Sequence, residues 1–361
     1  MRRLLFSWAL PLIIVLIFCS TASASSVICT KCGRTIDNGR YIQAGDLYYH
    51  PEHFVCAWCG KPIGANQYHV REGNVCDREC YEKQFAPKCA WCSEPILDVF
   101  TTSQGKSYHD KCYTENIALR CRLCDEIIDG KYITTFRGGA WHSRHKGTVP
   151  ECDFCGALID THRSDRYVRY TDNRYLCHPC GLTAVTSLDS VRSLAENVAS
   201  ILSGMSMLTT TRNLNFILVG KNEMDTQGEH MGQNRRGYTD YRQYSQLFGL
   251  FKERQLKVYI LYGMPKVECI EVLSHELMHA WLFLQGRTKT APQLCEGSCN
   301  FASLLVLRRF PGAESDYIRD RMLKDTDPVY GEGLRKVKKW VDEKGTAAWL
   351  DYITKHDKNP W

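Results

Sequence analysis

The 361-residue chain has no concentrated basic run: 46 Lys and Arg against 40 Asp and Glu leave a formal charge of +6. Removing Arg2 and Arg3 with a leader lowers this to +4. Counting fifteen finger cysteines as thiolates with five zinc ions, and adding one further zinc, brings it to about +1, so a nucleic-acid partner is not expected. The apolar run at residues 4–18 is shorter than the ~20 residues of a spanning helix and is interrupted by Pro11. At 44% hydrophobic and 24% charged, the chain is neither collagen-like nor wholly disordered. Cysteine is scarce after Gly181, where only Cys269, Cys295 and Cys299 occur, although 15 of the 19 lie between Cys29 and Cys180. Two chemically different halves follow.

Met1-Arg2-Arg3, the apolar run and Ala22-Ser23-Ala24 read as a secretory signal, residues 1–24, cut after Ala24. Cys19 is not a lipidation site, because bulky Phe18 precedes it. The expected location is exported, periplasmic or secreted. The alternative is anchoring by an uncleaved leader, which is the only membrane contact expected.

The cysteine-rich half is an internal repeat. Cys29/Cys32, Cys56/Cys59, Cys89/Cys92, Cys121/Cys124 and Cys152/Cys155 are all C-x-x-C, about thirty residues apart. Four residues beyond each second cysteine stands an isoleucine: Ile36, Ile63, Ile96, Ile128 and Ile159. An apolar side chain at that fixed offset closes a very small core over a knuckle turn. A tetrahedral zinc ion needs a second chelating pair. The pairs available are His50/His53, Cys76/Cys80, His109/Cys112, His142/His145 and Cys177/Cys180. All ligands are then consumed, with about five structural zinc ions. An exported chain permits disulfides instead, but disulfides do not call for histidines at matched positions. Four protein ligands per ion leave no open position, so the fingers are expected to fold by binding metal and to engage a protein partner.

Residues 29–80, with His50-Pro51-Glu52-His53-Phe54-Val55-Cys56 joining two fingers, resemble a LIM domain. Residues 89–112 form a single finger, and residues 121–180 resemble a divergent LIM domain. The wider Cys76-to-Cys80 spacing marks Cys80 as the irregular ligand.

In residues 185–361 helical periodicity replaces the cysteines. Val191, Leu194, Val198, Ile201 and Leu202 share one helix face, residues 214–219 and 256–262 read as strands, and a helix spans residues 267–285 before Gly286. On that helix lies His275-Glu276-Leu277-Met278-His279. The i, i+4 spacing puts both imidazoles on one face, where they grip a single zinc ion, with Glu276 beside them as general base. No histidine follows where a histidine-rich third ligand would stand. Glu296, on a helix over residues 293–309, is the third ligand expected, with Asn300 one turn on as acceptor for a ligand imidazole. The competing reading of Glu296 is a carboxylate favoured by the helix dipole.

His275 to Trp281, Cys295-Glu296-Gly297 and Asp327-Pro328-Val329-Tyr330-Gly331-Glu332-Gly333 resemble the peptidase domain of the plant LIM-containing organ-size regulators and their bacterial relatives. The resemblance implies a glutamate-type (gluzincin-like) zinc peptidase behind LIM fingers. The plant proteins are regulated through ubiquitin. An export signal is expected here, and no obvious acidic ubiquitin-binding helices are read ahead of the fingers, so that regulation is not expected.

The fold expected is therefore α+β, a LIM-like β-hairpin array followed by a zincin-like metallopeptidase domain. The activity expected is endopeptidase hydrolysis of a protein or peptide, with one catalytic zinc on His275, His279 and Glu296. Water in the open position has its pKa lowered to about 7, and Glu276 takes its proton and passes it to the leaving amine. Tyr330, His230 and Tyr238 are the candidate oxyanion donors. An extended substrate is expected to add to the edge of residues 256–262. The alternative is a LIM scaffold with a vestigial peptidase fold. Cys269, Cys295 and Cys299 allow one disulfide and a free thiol and read mainly as small packing residues. Leu334, Val337, Trp340 and Val341 form the packed face of a last helix, with Arg335, Lys336, Lys338 and Lys339 on its solvated face.

Overall fold

A computed structural model of the chain describes residues 3–4, 27–37, 39–64, 68–207, 210–227, 235–246 and 251–361. It divides into two compact units, Met1–Leu119 and Arg120–Trp361. Of the leader at residues 1–24, only Arg3–Leu4 are described, paired with Thr101 and Phe100; the rest lies outside the described residues. Among the described residues no helix is long and apolar enough to cross a membrane.

The first unit is built from antiparallel hairpins: Ile42–Ala44 with Leu47–Tyr49, Tyr68–Arg71 with Asn74–Asp77, and Phe100–Ser103 with Lys106–His109. Strands of three or four residues bury little, so the knuckle isoleucines matter. Ile36 and Ile63 sit in one small core with Tyr49, Phe54 and Val75, and Ile96 sits in another with Phe100, Tyr108 and Tyr113.

The second unit opens with two more such hairpins, Tyr132–Thr134 with Ala140–His142 and Tyr167–Arg169 with Tyr175–Cys177. Helix α1 (Leu188–Ser203) follows, capped by Ser187, whose hydroxyl accepts from the Ser190 amide. Its buried stripe is Val191, Ala195, Val198 and Leu202. A three-stranded sheet comprises β1 (Leu214–Val219), β2 (Gly237–Gln246) and β3 (Phe251–Leu261). Helices α2 (Lys266–Leu284), α3 (Pro292–Leu307), α4 (Ala313–Lys324), α5 (Gly331–Lys344) and α6 (Thr346–Lys355) complete it. Ile270, Leu273, Leu277, Met278 and Leu282 of α2 are all buried. A helix apolar nearly all round belongs in the interior, and this one ends at Gly286, whose φ of +77° suits a residue without Cβ.

The sheet order is β1-β3-β2, with β3 parallel to β1 and antiparallel to β2. The expected free edge on residues 256–262 is therefore wrong, because both sides of that strand are paired. Its buried Leu256, Val258 and Ile260 are the mark of a central strand. Among the described residues β1 and β2 form the two edges, and the polar composition of β2 (Tyr, Thr, Asp, Arg, Gln) conceals it as a strand. Arg335, expected on a solvated face, also donates to the carbonyls of Leu323 and Asp325.

One hydrophobic core runs through the second unit from Cys121 to Ile353, so its two fingers and its helices are packed together. Phe136 stacks on Tyr317 at 4.6 Å, Arg137 pairs with Glu314 at 2.6 Å, and the Arg236 guanidinium lies 5.2 Å from the Phe154 ring. Ala184–Val185 pairs with Met264–Pro265 immediately before α2. Asp172 of the last finger accepts from Arg174 and from the Lys221 amide at 2.9 Å, with both side chains of the ion pair buried.

Burial alone would raise the Asp172 carboxyl, but Arg174 and the Lys221 amide hold it below its ordinary value. Its stabilisation is thus present above the unfolded carboxylate pKa of about 3.9 and is lost as pH falls below it. Asp172→Ala leaves Arg174 buried and unpaired, and is expected to cost about 3–5 kcal/mol at pH 7. Urea unfolding measures this, and the deficit should shrink toward pH 3.

Candidate metal centres

Each finger gathers its ligands through one shared hydrogen bond. The residue after the first cysteine donates its amide to the carbonyl two residues before the first ligand of the second pair. Thr30 donates to Tyr48, Ala90 to Ser107, Arg122 to Ala140 and Asp153 to Tyr175, at 2.7–2.9 Å. The residue between that carbonyl and the ligand is buried in every case: Tyr49, Tyr108, Trp141 and Leu176. The chain then delivers Cys29/Cys32/His50/His53, Cys89/Cys92/His109/Cys112, Cys121/Cys124/His142/His145 and Cys152/Cys155/Cys177/Cys180, each set with its ligand atoms within 4.8 Å of one another. These are LIM-type Cys/His clusters of the kind that bind zinc.

The second finger differs from expectation at one position. Ala57 donates to Val75 at 2.8 Å, so the ligand position falls on Asp77 and the buried position before it on Cys76. Cys56, Cys59, Asp77 and Cys80 bring their ligand atoms within 4.8 Å. Asp77 divides its oxygens: Oδ1 accepts from the Cys80 amide at 2.8 Å and caps the following helix, while Oδ2 faces the Cys59 thiol at 3.0 Å. The predicted Cys76 lies in the core of the first unit, and burial, together with the charge of Cys56, pushes its thiol up. Asp77 and Cys80 restore the two-residue gap of the other fingers, which was the signal available in the sequence.

In the second unit α2 and α3 bring the three predicted donors together. His275 Nε2 lies 3.1 Å from His279 Nε2 and 3.1 Å from Glu296 Oε2, and His279 Nε2 lies 3.3 Å from the same oxygen. The outer nitrogens also have partners. His275 Nδ1–H donates to Asn300 Oδ1 at 2.8 Å, as expected, and His279 Nδ1 lies within hydrogen-bond distance of Cys295 Sγ, at 3.6 Å. The second contact was missed, because spacing on α3 alone does not show which helix face meets α2.

The three groups are coupled electrostatically. Burial opposes protonation of His275 and His279, yet Glu296 outweighs it and pushes both imidazoles above their ordinary value. Burial would raise Glu296, but the two imidazoles hold it far below the usual carboxylate range. Cys295 is lowered to about 5, first by the Cys299 thiol and then by His279. Two imidazoles and one carboxylate sharing a centre, with both outer nitrogens hydrogen-bonded, fit a zinc ion with an open position. No described cysteine is in a disulfide.

Glu276 is buried beside this centre. Thr239 on β2 donates to its Oε2 at 2.8 Å, and a Cβ on Gly237 would lie 2.7 Å from its Oε1. Glycine is thus required where the edge strand crosses the carboxylate. A second glycine requirement lies where α3 meets α5, because a Cβ on Gly297 would come within 2.4 Å of the Gly333 backbone. That close approach carries Tyr330, at the start of α5, onto His275, with ring centroids 6.3 Å apart and planes 24° apart. The Asn300 amide donates to the Tyr330 carbonyl at 3.2 Å, and Asp327 accepts from the Tyr330 amide at 2.8 Å. Burial, then Glu296 and Glu276, push the Tyr330 hydroxyl up, so it stays a donor at neutral pH. Of the other candidates, Tyr238 packs against Tyr259 and Arg235, and His230 lies outside the described residues.

Asp77→Ala is expected to remove one equivalent of zinc from the full chain, while Cys76→Ala keeps the full complement. Native mass spectrometry checks this, and the reverse pattern would restore Cys76 as the ligand.

Residues 29–85 match the LIM domain family, and residues 231–315 match the family described as Protein DA1. Protein DA1-related 7 from Arabidopsis thaliana is 25% identical, the alignment covering 92% of this chain and 64% of the relative. Protein DA1 from the same plant is 23% identical, covering 90% and 66%. Paxillin-B from Dictyostelium discoideum is 32% identical over 135 residues, covering 37% of this chain and 21% of that protein. The chain thus spans just under two thirds of the length of the first two relatives. It combines a LIM domain with a DA1-like region and is homologous to the Arabidopsis DA1 proteins.

Proposed function

We propose that the chain is a zinc-dependent endopeptidase with a gluzincin-like site in a zincin-like domain, and that its LIM fingers dock a protein partner. The observation that carries this reading is the convergence of His275, His279 and Glu296 beside a buried, hydrogen-bonded Glu276. His275, His279 and Glu296 would hold the ion, which when bound supplies Lewis acidity and lowers the pKa of water to about 7.

Glu276 is the proton carrier. Thr239 fixes one carboxylate oxygen and leaves the other against Gly237, so the side chain takes a proton from the attacking water and returns it to the leaving amine without a change of rotamer. Tyr330 is the oxyanion donor, because it stacks on a ligand imidazole and remains protonated. The substrate backbone adds to β2, the edge strand that also orients Glu276. Main-chain pairing there gives affinity for extended, unfolded segments with little dependence on their sequence.

Glu276→Gln is expected to retain zinc and fold and to lower turnover of an unfolded protein by about 10²–10⁴-fold. Tyr330→Phe should lower kcat by about 10²–10³-fold with KM little changed. Steady-state cleavage assays check both. Wild-type turnover left intact by Glu276→Gln would overturn the assignment.

A further inference from the structure

We infer that Cys295 positions His279, its sulfur accepting the Nδ1 proton and so fixing the tautomer and ring angle that turn Nε2 toward the shared centre. This rests on the metal-site reading above and adds a residue that motif spacing does not identify.

The two ligand histidines are supported from one turn and a half of α3. Glu296 enters the centre, Asn300 accepts from His275 at 2.8 Å, and Cys295 lies 3.6 Å from His279. Each imidazole therefore presents one nitrogen inward and has its other nitrogen occupied from the same helix. A neutral imidazole carries one proton, and an acceptor at Nδ1 keeps it there and frees Nε2 as a lone-pair donor. Its ring also meets Phe283, stacked at 6.1 Å, and His275, edge-on at 4.8 Å. Those contacts limit tilt but do not select a tautomer. The sulfur is the acceptor that does. Cys299, one turn further along, is buried and is a hydrogen-bond partner of the Cys295 thiol.

The test uses the full chain loaded with zinc and dialysed against graded chelator, with His279→Ala marking which release step belongs to this site. Cys295→Ala should release that ion about 10–100-fold more readily, as loss of an outer partner does elsewhere. Cys295→Ser, which keeps an acceptor, should restore most of the affinity. Nitrogen-15 spectra should show a protected His279 Nδ1–H in wild type and in Cys295→Ser, and a solvent-exchanging one in Cys295→Ala. Unchanged release and an unchanged Nδ1–H in Cys295→Ala would overturn the inference. Zinc retention is read without substrate, so that result is distinct from failure of the peptidase reading, which Glu276→Gln turnover decides.

Discussion

Three donor atoms from two helices lie within 3.1–3.3 Å of one another in the second unit. At such distances the buried carboxylate and the two imidazoles are strongly coupled, and the surrounding fold sets where they meet. That placement is traceable. A buried α2 fixes His275 and His279 one turn apart. The glycine contact between α3 and α5 brings Glu296, Asn300 and Tyr330 to the same place, and β2 crosses the other side at Gly237 and Thr239. Each element is shaped at its point of approach by a glycine or by a side chain with named hydrogen-bond partners, Thr239 or Asn300.

The fingers use one repeat in two ways. In the second unit the knuckle residue Phe154 is buried under Arg236, and a continuous core joins finger to helix. In the first unit the residues at the same knuckle position, Trp58 and Trp91, are 59% and 54% exposed. LIM domains commonly mediate protein–protein interaction, and aromatic side chains left outside are the kind that carry binding energy.

Much of this was legible in the sequence because it is periodic. The i, i+4 histidines, the isoleucine offset, the helix stop at Gly286 and the apolar stretches of β1 and β3 each follow from a short-range rule, and Glu296 and Asn300 followed from the helix repeat. What escaped depends on register. Asp77 was hidden because Cys76 is also a thiol and only the Ala57-to-Val75 hydrogen bond shows which residue is the ligand. The edge position of β2 was hidden because strand order is a long-range property and a polar strand resembles a loop. Cys295 was read as a packing residue because nothing local records the rotation of α3 against α2.

The most direct measurement is anomalous diffraction at the zinc edge from zinc-replete crystals of the full chain. The account predicts a peak about 2.0–2.2 Å from His275 Nε2, His279 Nε2 and a Glu296 oxygen, with no fourth protein ligand. Peaks in the fingers with none between those three side chains would contradict it.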